Sequence, residues 1–197
     1  MSTNGMSRAC AFEGSGMCPF MNPMRHLELC SEDARFRVRI PAATVSRLLY
    51  LCRVAGRLET GGILVGRYAD ALDCALVSAA SGPPPDSKRG PTWFQRGTRG
   101  LQAWLERRWA SRGDHYLGEW HFHPHAEPTP SAADLRQLDA IALSTQYRCP
   151  EPLLLIVGGD PRGAWSLSGH VVPRSGLPIQ LQRESICNFQ NHSRFKR

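Results

Sequence analysis

The sequence predicts an α/β fold in which a mixed β-sheet is sandwiched by helices. Three observations predict it. Short runs with strand character are interleaved with segments of helical period, in the order β-α-β-β-α-β-α-β-β. Leu153 to Val157 is an unbroken apolar run, suited to a central strand covered on both faces. The length, 197 residues, suits one domain with tails and is enough to bury a core without staples.

Each element has its own signal. Residues 1–33 are rich in Met, Gly, Ser and Cys without a period, and are expected to be a poorly ordered leader before a domain at 34–182. Phe36-Arg37-Val38-Arg39-Ile40 alternates and reads as a half-buried strand. Pro41 to Gly56 reads as a helix with Val45, Leu48, Leu49 and Cys52 on one face and Gly56 as its stop. Gly61 to Arg67 and Cys74 to Ala79 are strands joined by a short polar turn, a candidate hairpin. Ser81 to Pro91 carries four prolines and reads as a long exposed loop returning near Trp93 and Phe94. Residues 98–111 form an amphipathic helix with Leu101, Trp104, Leu105 and Arg108 on one side. Residues 115–123 are a strand, and 131–146 a helix with Leu135, Leu138, Ile141 and Ala142 inward. After Leu153–Val157, the stretch Gly158-Gly159-Asp160-Pro161 turns the chain into a last strand, Trp165 to Val172. The tail from Arg183 to Arg197 is polar and basic.

Composition bounds the function. The formal charge is +7 and the pI about 9.4, with arginine supplying 22 of the 24 basic side chains. No basic-aromatic stripe accompanies that charge, so a nucleic-acid partner is not expected. No run approaches the roughly 18 apolar residues of a membrane span, and the N-terminus shows no signal-peptide core. Seven cysteines, an odd number with no Cys-x-x-Cys, argue for reduced thiols and a cytoplasmic protein.

The chemistry concentrates in residues 119–134. His121-x-His123 stands at a strand end, where alternate residues share a face, so both imidazoles can reach one ion. Pro124 then ends the ladder, because it has no N–H to donate. Ser131-x-x-Asp134 fits the start of a helix, with Ser131 at the N-cap and Asp134 in the first turn. Two histidines and one carboxylate make a catalytic zinc set with a fourth position for water, which points to a zinc hydrolase. Ser-x-x-Asp alone is an ordinary capping box; joined to His-x-His at this spacing it is more informative. Glu59, Glu119 and Glu127 are all chemically able to serve as a general base. Glu119 shares the strand face of His121 and would suit a partner behind that ligand.

The pattern resembles the JAMM (JAB1/MPN/Mov34) metalloprotease family, whose motif is Glu, then His-x-His-x7-Ser-x2-Asp. Glu59, His121, His123, Ser131 and Asp134 match it, with Pro124 in its usual place. Glu59 to Gly66 is similar to the family's opening strand. The likeness covers roughly residues 35–175. Phe122 departs from the Ser or Thr that many members carry between the histidines, which bears on packing rather than on metal binding. Gly118-Glu119-Trp120-His121 and the proline-rich loop look like prokaryotic members encoded beside ubiquitin-like conjugation enzymes.

The resemblance implies an MPN domain of cytidine-deaminase-like architecture and one catalytic zinc held by His121, His123 and Asp134. It selects Glu59 as the base that takes a proton from water and passes it to the leaving amine. Ser131 would stabilise the oxyanion, one oxygen then serving both that task and the helix cap. The implied activity is an isopeptidase or peptidase cutting after the C-terminal glycine of a ubiquitin-like protein, as precursor processing or deconjugation, in an anti-phage defence system. Partners would be that modifier, its conjugates, and E1-like and E2-like proteins of the same operon. Trimming of a sulfur-carrier protein and a non-catalytic MPN scaffold are the alternatives. An insertion near residues 81–92 helps hold substrate in the resembling enzymes, and Trp93 and Phe94 are the residues that would do so here.

Overall fold

The computed structural model of the chain describes residues 26–70, 73–174 and 176–183. In chain order these residues form β1 (His26–Cys30), β2 (Arg37–Pro41), α1 (Ala42–Ala55), β3 (Thr60–Tyr68), β4 (Cys74–Ala80), β5 (Lys88–Gly90) and β6 (Trp93–Gln95). There follow α2 (Leu101–Arg112), β7 (His115–Pro124), α3 (Ala132–Leu143), β8 (Leu153–Gly159), β9 (Trp165–Val171) and β10 (Ile179–Arg183). Eight strands close in the order β1-β10-β9-β8-β7-β3-β4-β2, with β1 pairing back on β2. The sheet is mixed, as expected: β7–β8 and β2–β4 are parallel and the other neighbours antiparallel.

The expected sandwich is modified by that closure. One face of the sheet wraps α1, whose Leu48, Cys52 and Ala55 share the main core with Leu64, Trp120 and Leu155. On the opposite face Leu138 of α3 packs with Leu154, Ile156 and Val172. Strand β8 therefore sends Leu153, Leu155 and Val157 one way and Leu154 and Ile156 the other, and all are buried. This is why its sequence is apolar throughout rather than alternating. Helix α2 lies against β7 with Leu101, Trp104, Leu105 and Arg108 half-buried and none of its residues fully buried. Its anchor is electrostatic: Arg108 pairs with the buried carboxylate of Asp114, which also accepts from Ser78 Oγ at 2.8 Å.

Five sequence expectations differ from the structure. The stretch 1–33, read as a leader, contributes β1, a full neighbour of β2 and β10; its residues 1–25 lie outside the described residues. Loop 81–91 contains a rung-by-rung pairing of Lys88, Arg89 and Gly90 with Gln95, Phe94 and Trp93. Lys-Arg-Gly has no strand signature; the ladder forms because the Trp93 indole lies over Gly90, where a Cβ would stand 2.3 Å from its Nε1. Helix α2 begins at residue 101 rather than 98, because Gly100 takes a left-handed φ of 82°; the N–H groups of Thr98 and Arg99 before it donate to Asp86, each at 3.0 Å. Helix α3 stops at Leu143, where Ser144 turns extended. Strand β10 falls where no strand is expected; most of the basic tail, residues 184–197, lies outside the described residues.

Candidate metal centre

Strand β7 sorts its side chains by parity. Trp120 and Phe122 enter the main core, while Glu119, His121 and His123 point to the other face. Antiparallel β3 lies alongside, with Gly61 opposite His121 and Thr60 opposite Phe122. Thr60-Gly61-Gly62 thus opens β3, with Glu59 immediately before it. Glycine at 61 is required by close approach: a Cβ there would sit 2.4 Å from Trp120 O and 2.9 Å from both His121 Cδ2 and Phe94 Cε1.

Helix α3 brings the carboxylate. Ser131 is its N-cap in extended conformation, and the capping box is complete: Ser131 Oγ accepts from Asp134 N at 3.2 Å and Ser131 N donates to Asp134 Oδ2 at 2.8 Å. That bond holds Oδ2 and turns Oδ1 toward β7, where His121 Nδ1 lies 2.7 Å away. One ligand atom each from His121, His123 and Asp134 falls within 4.8 Å of the others. Among the described residues this is the one such cluster of His, Cys, Asp or Glu side chains. Burial opposes ionisation of Asp134, but hydrogen bonds from His121 and Ser131 outweigh it and hold the carboxyl down at about 2. Burial likewise pushes His123 below the ordinary histidine value, although a hydrogen bond to the Glu127 main chain works the other way. An ionised carboxylate beside an imidazole that favours its neutral form is the protonation a divalent metal needs, so the residues fit a metal ion.

The three candidate bases separate cleanly. Glu119 has no exposed surface and is ion-paired with Arg96 at 2.7 Å. Glu127 is exposed in the loop after Pro124. Glu59 is half-buried; burial raises its carboxyl, the His121 charge lowers it and Asp134 raises it again. It therefore feels two of the cluster residues directly. The capping bond uses a lone pair of Ser131 Oγ and leaves its hydrogen for another acceptor, so the two tasks expected of that oxygen are compatible.

The family model for prokaryotic homologs of the JAB domain matches residues 41–168, which contain the whole cluster. The chain belongs to this family. The matched span leaves β1, β10 and all of β2 but Pro41 outside, so the barrel of this JAB domain is closed by strands beyond it. A protein named CD-NTase/cGAS isopeptidase, from Enterobacter hormaechei subsp. hoffmannii, is 43% identical over 163 residues, covering 83% of this chain and 90% of its own. Another of that name, from Pseudomonas aeruginosa, is 35% identical over 120 residues, 60% of this chain and 71% of its own. Probable metalloprotease y4qB of Sinorhizobium fredii is 30% identical over 125 residues, 62% and 76% of the two chains. The solution structure of protein DSY2949 from Desulfitobacterium hafniense superposes with a TM-score of 0.52 at 20% identity, covering 73% of this chain and 86% of that one. That likeness shows the fold alone.

Sequence reasoning passed over Arg96 and Gln137 in the surroundings of the JAB-domain cluster, and named Phe94 as a substrate contact rather than a neighbour of His121. Phe94 meets His121 edge-on, with ring centroids 5.8 Å apart at 82°. A buried Glu two residues before His121 is the signal that could have pointed to a cation such as Arg96. His115 stacks on Trp109 at the other end of β7, and exposed His125 takes a left-handed φ of 57° in the loop. Neither joins the ligand cluster.

Proposed function

We propose that this chain is a zinc-dependent isopeptidase or peptidase that cleaves after the C-terminal glycine of a ubiquitin-like protein. It would act in precursor processing or deconjugation, in the bacterial cytoplasm, within an antiviral defence system that also supplies E1-like and E2-like partners. The observation that carries the reading is the convergence of His121, His123 and Asp134 within 4.8 Å, with Glu59 electrostatically coupled to two of them. The relatives named as isopeptidases and as a probable metalloprotease support the reaction class. We also read the architecture as cytidine-deaminase-like, supported by the parallel β7–β8 pair and a helix that delivers a ligand to the strand end.

His121, His123 and Asp134 would hold zinc, which when bound supplies Lewis acidity toward water and the scissile carbonyl. Glu59, whose burial raises its affinity for a proton, takes one from the attacking water and delivers it to the departing amine. Ser131 donates its hydroxyl hydrogen to the oxygen that gains charge as the carbonyl becomes tetrahedral. Gly61 keeps the β3 side of the cluster open, since any side chain would fill the space against His121.

A ubiquitin-like protein extended past its C-terminal glycine, and the same protein linked to a lysine side chain, test the reading together. Cleavage of either directly after the glycine, abolished by a chelator and restored by zinc, is the expected result. Metal-independent cleavage, or cleavage at another bond, would contradict it.

A further inference from the structure

Glu119 is the one charged side chain of the described residues with no exposed surface at all, and every interaction it makes leads to a segment of the site. Its Oε1 accepts from Arg96 Nε at 3.1 Å, Arg96 Nη2 at 2.7 Å and Tyr116 OH at 3.2 Å. Its Oε2 accepts from Gln137 Nε2 at 2.9 Å and lies 3.9 Å from His121 Nε2, on the side of that ring away from Asp134. Arg96 also donates from Nη1 to Gly97 O at 3.1 Å and is itself almost wholly buried.

We propose that Glu119, with Arg96 and Gln137, is a positioning strut that fixes the metal ligands relative to one another; the proposal rests on the zinc reading above. As a stability device a buried ion pair is typically no better than apolar side chains of the same volume. What it provides is direction. Glu119 sits two residues before His121 on β7. Gln137 sits three residues after Asp134, hence on the same face of α3. Arg96 sits two residues after Phe94, whose ring edge meets His121. One carboxylate thus ties the strand that bears both histidines, the helix that bears the aspartate, and the hairpin exit that packs on the first histidine. Rotation of α3 about its axis would carry Asp134 Oδ1 away from His121, and the Gln137–Glu119 bond opposes that rotation. Functional constellations tolerate only about 0.5 Å of such drift.

The test uses the full chain in metal-free, zinc-loaded and cobalt-loaded forms. Gln137→Leu changes an exposed helix position and keeps the fold; Glu119→Gln keeps the shape but weakens the pull on Arg96. Zinc affinity is read by competition with a chromophoric chelator, ligand geometry by the visible spectrum of the cobalt form, and turnover as kcat and KM separately. We expect both variants to bind zinc about 10- to 100-fold more weakly than wild type. Their cobalt spectra should shift and kcat should fall at constant KM, while metal-free Gln137→Leu still unfolds cooperatively, its melting temperature lowered only by the loss of one hydrogen bond to Glu119. Arg96→Lys should restore part of what Arg96→Gln loses. Wild-type zinc affinity and an unchanged cobalt spectrum in folded Gln137→Leu overturn the strut, whatever becomes of Glu119→Gln, and leave the hydrolase reading standing. A wild-type chain that binds neither metal overturns both.

Discussion

Glu59, Glu119 and Glu127 are interchangeable by composition, and their surroundings distinguish them. The Glu119 carboxylate is turned to Arg96, Tyr116 and Gln137, and Glu127 in open solvent is not held near the reacting atoms. Glu59→Gln should therefore lower turnover by about 10²- to 10⁴-fold with zinc still bound, as metal analysis and single-turnover kinetics would show. Ser131→Ala should separate two effects of one hydroxyl. Turnover should fall by about 10²–10³, while the lost cap should cost about 1 kcal/mol in denaturant unfolding. Asp134 carries a pH signature. Burial raises its carboxyl but the His121 and Ser131 hydrogen bonds bring it to about 2, below its ordinary value of 3.8. A depressed native value gives stability that is present above the ordinary value and lost as pH falls through about 2. Urea titrations of the metal-free protein from pH 5 to about pH 2 should show that loss in wild type and a flatter limb in Asp134→Asn.

At the scale of elements, hairpin β5–β6 is the part with consequences for substrate. Trp93 is half exposed at its turn and Phe94 lies against His121. A folded Trp93→Ala, Phe94→Ala double variant should raise KM for a ubiquitin-like substrate by about 10-fold or more, in line with the loss of a buried aromatic anchor; an unchanged KM would remove the hairpin from substrate binding. How legible each element was follows from how local its cause is. The helical faces of α1 and α3, the two-sided burial of β8 and the capping box at Ser131 are written in periods of a few residues, and they form as the sequence predicts. The ligand cluster was equally legible, because strand parity and a helix N-terminus place His121, His123 and Asp134 within one short segment. β1, β5 and β10 were not. His-Leu-Glu-Leu-Cys and Ile-Gln-Leu-Gln-Arg lie in stretches that read as leader and polar tail, and they become strands by pairing with each other across the length of the chain. Arg96 escaped for the same reason: its partner lies 23 residues away.

Over the whole molecule, closure of the sheet makes the strand near the N-terminus and the last described strand neighbours, and both lie outside the family-matched span. Leu29 of β1 belongs to the main core and is 2% exposed. Leu29→Ala should accordingly cost about 2–5 kcal/mol in equilibrium unfolding, far more than a residue of a loose leader would. The same closure holds α1 on one face and α3 on the other, so β7 reaches the site with its core side filled by Trp120 and Phe122 and its histidines aimed at α3. The proposed metal-dependent hydrolase stands on the bound ion and on Glu59 as its base. The most direct measurement is cleavage of a ubiquitin-like protein extended past its C-terminal glycine, with zinc content determined on the same samples of wild type and Glu59→Ala. One zinc in each and cleavage by wild type alone are the expected results. Cleavage that survives Glu59→Ala, or wild-type cleavage without bound metal, would contradict the proposal.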